Sequence, residues 1–171
     1  MIKLERFDKN DYDDLISWID SEETLMQIAG PIFSFPLTHE QLDESLQNKN
    51  RFAFNVIDLD TNENIGHCEI YLTDVSAKLD HIIIGKELQR GKGVGKQIVN
   101  ALVEFVFNNF DRSKIELNVF DWNVAAIKSY EKVGFKINPD KKLEQKIKGQ
   151  TWTAFNMILN NEDWKEIILK K

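Results

Sequence analysis

Residues 2–7 alternate apolar and charged side chains, the period of a half-buried strand. Residues 11–19 place Leu15, Ile16 and Ile19 on one face of a helix. Residues 30–38 are punctuated by Pro31 and Pro36 and exclude a regular helix. Thr38 followed by Gln41 has the spacing of a capping box and predicts a helix to about Asn48. Residues 51–58, 64–73 and 77–84 then read as strands joined by short turns, hence an antiparallel meander.

After Ile84 the pattern changes. A glycine-rich loop leads into a helix over 93–108, with Val94, Ile98, Leu102, Phe105 and Val106 at helical spacing. A strand at 115–120, a short helix at 123–133 and a strand at 135–137 follow. Residues 141–148 are charged and read as a mobile segment, and 151–159 read as a last strand. Helices interleaved with a largely antiparallel sheet make this an α+β chain, with 1–171 as a single domain.

No apolar run among the 171 residues approaches the ~20 needed to span a bilayer. The first residues lack the apolar core of a signal peptide, so a soluble cytoplasmic protein is expected. Cys68 stands alone and the three His are scattered, which predicts neither a disulfide framework nor a metal site. The net charge of −6 argues against general affinity for nucleic acid or anionic membranes. Its distribution is uneven: residues 1–60 carry 13 acidic and 5 basic side chains, residues 61–171 carry 15 and 17. That fits either a solvated acidic helix face or an acidic segment that meets a cationic ligand while the later half meets an anionic one.

Candidate chemistry concentrates in Arg90-Gly91-Lys92-Gly93-Val94-Gly95-Lys96, between an apolar strand and an amphipathic helix. Glycines let the backbone approach a ligand, a helix start adds unpaired N–H donors, and three cations add charge, so a phosphate or pyrophosphate is the expected occupant. A Walker loop is a poor match, because Arg90 replaces its first glycine and Gln97 follows Lys96. The dinucleotide fingerprint also fails, since the glycine spacing is off by one.

The spacing Arg90-x-x-Gly93-x-Gly95 resembles the pyrophosphate loop of the GNAT family of acetyl-CoA-dependent N-acetyltransferases. The segment from Asn118 through Asn123 and Tyr130 to Gly134-Phe135 is similar to the same family at the expected distance. The helix ending in Ser17-Trp18-Ile19 looks most like the branch of ribosomal-protein N-terminal and polyamine acetyltransferases. This resemblance implies a single GNAT-like domain, a mixed and mostly antiparallel central sheet flanked by helices. It implies acetyl-CoA as cosubstrate and a primary amine as acceptor: a polyamine, another small amine or a peptide N-terminus.

By the same resemblance, Arg90, Gly91, Lys92, Gly93, Val94, Gly95 and Lys96 hold the pyrophosphate. The backbone of Ile83 and Ile84 would bind the pantetheine arm, with Asn118, Asn123, Ala126 and Tyr130 alongside. Tyr130 would be the general acid that protonates the departing thiolate, since its reference pKa lies close to a thiol's. Asn123 is also a plausible helix N-cap. The general base is open between Asp80, His81, Glu69 on the adjoining strand and bulk water, because no glutamate stands on the strand before the loop. Simple alternation puts Asp80 and His81 on opposite faces of that strand, and Cys68 and His67 likewise, which disfavours a Cys–His nucleophile. Asp20, Glu22 and Glu23 form a candidate acidic rim for the amine, and Phe33 and Phe35 a candidate wall or additional core. The rival reading is a GNAT-like module that binds acyl-CoA without catalysis. Oligomeric state is open.

Overall fold

The computed structural model describes residues 1–86 and 89–170. β1 (Ile2–Arg6), β2 (Arg51–Asp58), β3 (Asn64–Leu72) and β4 (Ala77–Ile84) run antiparallel, as the meander predicts. β4 pairs in parallel with β5 (Lys114–Phe120). β6 (Lys136–Ile147) and β7 (Gln150–Asn160) complete the sheet antiparallel, in the order β1-β2-β3-β4-β5-β7-β6. The mixed, mostly antiparallel α+β architecture is the one expected.

Helices cover both faces. α1 (Tyr12–Ser17), α2 (Glu22–Ala29) and α3 (His39–Leu46) bury Tyr12, Leu15, Leu25 and Leu42 with Ala53 and Ile83 of the sheet. On the opposite face α4 (Val94–Asn109) buries Ile98, Leu102 and Val106 with Val56, Cys68, Ile70 and Ile115. Each such aliphatic side chain, taken fully out of water, stabilises the fold by about 1.5–3 kcal/mol. α5 (Val124–Glu131) and α6 (Asn161–Leu169) add Ala126, Ile127, Trp164 and Ile167 to the α4 side. No helix among the described residues is long and apolar enough to cross a membrane.

Two helices went unassigned in the sequence and two expectations require correction. α2 occupies residues given no element after the first helix: Ser21 caps it by accepting from the Thr24 N–H at 3.1 Å, and Glu22 and Glu23 occupy its first turn. Residues 141–148 belong to β6 and the turn after it. Their inward positions Leu143, Gln145 and Ile147 alternate with outward charges, and an edge strand tolerates such charge. α6 follows the last strand with Glu162 and Asp163 in its first turn. Finally, the capping box at α3 is half formed. Thr38 caps Gln41 N–H at 3.4 Å, but the Gln41 side chain turns back to the proline loop, bonding Ser34 and Pro36.

Candidate active site

The site begins with a break in the sheet. β4 and β5 pair only at Ala77–Ile115 and Lys78–Glu116. Beyond those pairs the strands part. Across β3, Glu69 faces Asp80 while His67 faces Ile83, so His81 and Ile82 together oppose Cys68. This is a β-bulge, and His81 takes φ +48°, a left-handed conformation rare outside glycine. A bulge bends its strand, and the cleft opens where β4 leaves β5. Leu79, Asp80, His81 and Ile82 of β4 line it opposite Asn118 and Phe120 of β5. Gln27 and Ile28 of α2 and Asn123 and Tyr130 of α5 complete the lining.

The bulge also cancels the expected alternation. Asp80 shares its register position with Glu69, and His81 reaches the same Glu69 instead of crossing to the other face. Here Glu69 is buried and bonded on both oxygens. His67 Nε2 lies 3.0 Å from Oε1, His81 Nδ1 lies 2.9 Å from Oε2, and Arg51 of β2 pairs with Oε2 from the neighbouring strand. Burial pushes this carboxyl up, but the adjacent His81 and His67 outweigh it and hold Glu69 well below the usual carboxylate range. The remaining ring nitrogens, His67 Nδ1 and His81 Nε2, are buried without a partner among the described residues. His67 packs edge-on against Phe7 at 4.4 Å, and the Phe33 ring lies 5.3 Å from that of His81. Phe33 therefore packs against this histidine without lining the cleft, whereas Phe35 is exposed.

Arg51 escaped the sequence reading. The meander pairs position 53 with position 69, so an arginine two residues earlier on the same face was the available signal. Cys68 lies in the core on the α4 side, and burial pushes its thiol up, far from ionisation. His67, facing Phe7 on the other side, is separated from it by the sheet, as alternation predicts.

α5 positions the polar groups on the far wall. Asn123 caps it, its Oδ1 accepting from Ala126 N–H at 3.3 Å. The helix stops at Gly134, where φ is +117° and the N–H groups of Gly134 and Phe135 both close on the Tyr130 carbonyl. That anchors the backbone of Tyr130, whose hydroxyl burial pushes up to about 12. On β5, Asn118 accepts from Asn156 Nδ2 at 3.0 Å, and Asn156 in turn accepts from Asn138. This ladder fixes an amide at the cleft wall.

The glycine loop lies at the end of β4. Gly91 and Gly93 have φ near +80°, and a Cβ at either would meet no atom of the described residues within 4 Å. Gly93 is the N-cap of α4 and provides no side-chain bond. Gln97 N–H is bonded to the Gly93 carbonyl at 3.2 Å, so the N–H groups of Val94, Gly95 and Lys96 precede the first helical bond. Arg90 folds back, donating Nε and Nη2 to the Ile84 carbonyl at 3.3 and 3.2 Å. Immediately after Ile84, Gly85 allows Trp18 to lie against the chain, since a Cβ there would stand 2.1 Å from the indole. The candidate acids Asp20, Glu22 and Glu23 stand at the start of α2. Asp20 accepts from Thr24, and Glu23 pairs with Lys148 at 2.5 Å.

Of the residues singled out from the sequence, Asp80, His81, Asn118, Asn123 and Tyr130 line one cleft and Glu69 lies behind His81, whereas Ile83, Ile84, Ala126, Phe35 and the acids Asp20, Glu22 and Glu23 are not part of its lining. Among the described residues no group of His, Cys, Asp and Glu could hold a metal ion.

Residues 2–136 match the family described as acetyltransferase (GNAT) domain. A probable spermine N(1)-acetyltransferase of Bacillus subtilis subsp. natto (strain BEST195) is 37% identical over 60 residues, 35% of this chain and 39% of the relative. An aminoglycoside N(6')-acetyltransferase type 1 of Klebsiella pneumoniae is 41% identical over 54 residues, 32% and 27% of the two chains. These alignments therefore span well under half of the curated relatives' length. Over nearly the whole chain the fold is similar to spermidine N-acetyltransferase from Vibrio cholerae in complex with CoA and spermine. There the TM-score is 0.79 at 21% identity, covering 96% of this chain and 98% of that one. It is also similar to the aminoglycoside acetyltransferase AAC(6')-Ib in complex with coenzyme A and kanamycin, with TM-score 0.74, 22% identity and 97% and 98% coverage. With its family match extending from β1 to the start of β6, the chain belongs to the GNAT acetyltransferase family.

Proposed function

We propose that the protein transfers an acetyl group from acetyl-CoA to a primary amine, by direct attack of the amine on the thioester. One observation carries this reading: an open glycine loop at a helix start adjoins a cleft, between parting strands, that Tyr130 lines. The positive-φ glycines and the free N–H groups of α4 fit a pyrophosphate, with Arg90, Lys92 and Lys96 supplying charge. The gap between β4 and β5 fits an extended amide-bearing arm, held by the Ile83–Ile84 backbone, Asn118 and Asn123 and passing the small Ala126.

Acetyl-CoA supplies the activated acyl group and its leaving thiolate. The protein's part is positioning and proton management. Backbone N–H groups of β4 polarise the thioester carbonyl, a contribution typically worth a few kcal/mol in the transition state. Tyr130, kept protonated by its burial, donates to the departing sulfur. The amine proton leaves to one of the candidates Asp80, His81 and Glu69, of which Asp80 and His81 line the cleft and Glu69 lies behind His81. Acceptors are polyamines or other small amines, the class named in the relatives and in the spermine- and kanamycin-bound structures, with peptide N-termini as a further possibility. The domain extends over residues 1–171 and works in the cytoplasm.

Thiol release from acetyl-CoA, measured against polyamines, aminoglycosides, amino acids and short peptides with free N-termini, tests the proposal. Release above the no-acceptor blank with one class supports it and names the acceptor. Binding of acetyl-CoA with no release on any amine would leave a non-catalytic acyl-CoA module instead.

A further inference from the structure

Resting on the acetyl-transfer reading above, we propose that His81 is the general base of this protein and that Glu69, locked by Arg51, is its positioning carboxylate. His81 Nδ1 is spent on Glu69 Oε2 at 2.9 Å, which leaves Nε2 as the one ring nitrogen free to take a proton. That nitrogen has no partner among the described residues although the side chain is only 4% exposed, and the residue lines the cleft. Burying an unpartnered ring nitrogen costs free energy, and so does φ +48° at a non-glycine residue. Neither cost is needed to build the sheet. Both are explained if a ligand nitrogen completes the set.

The supporting shell has the logic of a base oriented by a third group. Glu69 cannot itself reach an acceptor, since Arg51 and the two histidines occupy its oxygens. It can fix the His81 tautomer with the proton on Nδ1, and it can stabilise the imidazolium that forms. The groups facing His81 are few. Glu69 and His67 come from β3, Arg51 from β2 and Asp80 from β4, while Tyr130 of α5 lines the same cleft. α2 and β5 contribute the uncharged Gln27, Ile28, Asn118 and Phe120.

The proton count closes. A protonated primary amine gives one N–H proton to His81 Nε2 and becomes the nucleophile. Its nitrogen bonds the thioester carbon, the carbon–sulfur bond breaks, and the second N–H proton balances the one that Tyr130 delivers to the sulfur. The His81 proton then passes to solvent, leaving amide, free thiol and one proton.

The test uses two variants that suit the backbone. Glycine and asparagine both accept left-handed φ, so His81→Gly and His81→Asn keep the bulge. Calorimetry with acetyl-CoA reports whether each variant still folds and binds. With spermine as acceptor, kcat/KM at pH 7 is expected to fall by about 100-fold or more in both, the scale of a lost general base. Wild type should level off once its base is deprotonated, whereas the variants should keep climbing about tenfold per pH unit toward the amine pKa, because free amine becomes the only route. Added imidazole should restore His81→Gly saturably and leave His81→Asn unchanged. Variants that bind acetyl-CoA and keep the wild-type rate and profile overturn the dyad while leaving acetyl transfer standing. A wild-type protein that binds acetyl-CoA and acetylates no amine overturns the functional reading itself.

Discussion

Arg51 and Glu69, 18 residues apart on neighbouring strands, form an ion pair whose side chains are only 8% and 3% exposed. Replacing the pair with matched apolar groups is often harmless, but removing one partner strands a buried charge. Arg51→Leu is therefore expected to destabilise the protein by about 3–5 kcal/mol, read as a lower urea midpoint at pH 7. A midpoint within experimental error of wild type would mean that the two histidines alone suffice to hold Glu69.

The same carboxylate gives the fold an acid limit. Burial opposes its charge, yet His81 and His67 hold Glu69 well below the usual carboxylate range. A depressed folded pKa contributes stability above the unfolded pKa of about 4.3, and that contribution is lost as pH falls below it. The urea midpoint of wild type should drop steadily from pH 5 to pH 3. Glu69→Gln, with nothing to titrate there, should begin lower at pH 7 and fall less steeply. Parallel slopes would transfer the acid sensitivity to another carboxylate.

Tyr130 makes a prediction about turnover without affinity. Burial pushes its hydroxyl to about 12, so it remains a proton donor across the whole working range. Tyr130→Phe keeps the ring packed near Phe135, at 6.3 Å between centroids, and removes only the hydroxyl. Acetyl-CoA affinity should stay within about twofold, while kcat falls by at least about tenfold, since a general acid typically contributes about 10²–10⁴-fold. Unchanged kcat would remove Tyr130 from the proton path.

Much of this site was legible because its chemistry is local. The glycine loop, the Asn123 cap and Tyr130 one helix further on all sit at fixed spacings within short segments. The meander showed its period of two in residues 51–84. The bulge at His81 did not show, because bulges usually announce themselves with glycine and here a histidine takes the left-handed position. Arg51 was missed because its partner is fixed by strand register, which no local window contains. β6 was hidden by its own edge position: Lys142, Glu144 and Lys146 face outward and mask the inward alternation of Leu143 and Ile147. For α2, the Ser21 cap and the Glu22-Glu23 first turn were present but were absorbed into a reading of acidic surface.

Gly95 separates what the fold wants from what a pyrophosphate wants. Unlike Gly91 and Gly93 it has no positive φ, and it lies within the first turn of α4. A Cβ there would meet only Ser129 Oγ, at the ordinary contact distance of 3.8 Å. By helix propensity alone, Gly95→Ala should stabilise the protein by up to about 1 kcal/mol. For a chain of this size that raises Tm by about 2–4 °C. If the α4 N-terminus holds the pyrophosphate, the added methyl stands where the ligand must approach the backbone. Acetyl-CoA affinity is then expected to fall by about tenfold, the equivalent of 1.4 kcal/mol, even as Tm rises. Thermal unfolding and calorimetry on the same variant check both halves. A rise in Tm with unchanged affinity would move the pyrophosphate off this helix start, whereas a fall in Tm would mean that the contact with Ser129 costs more than the gain in helix propensity.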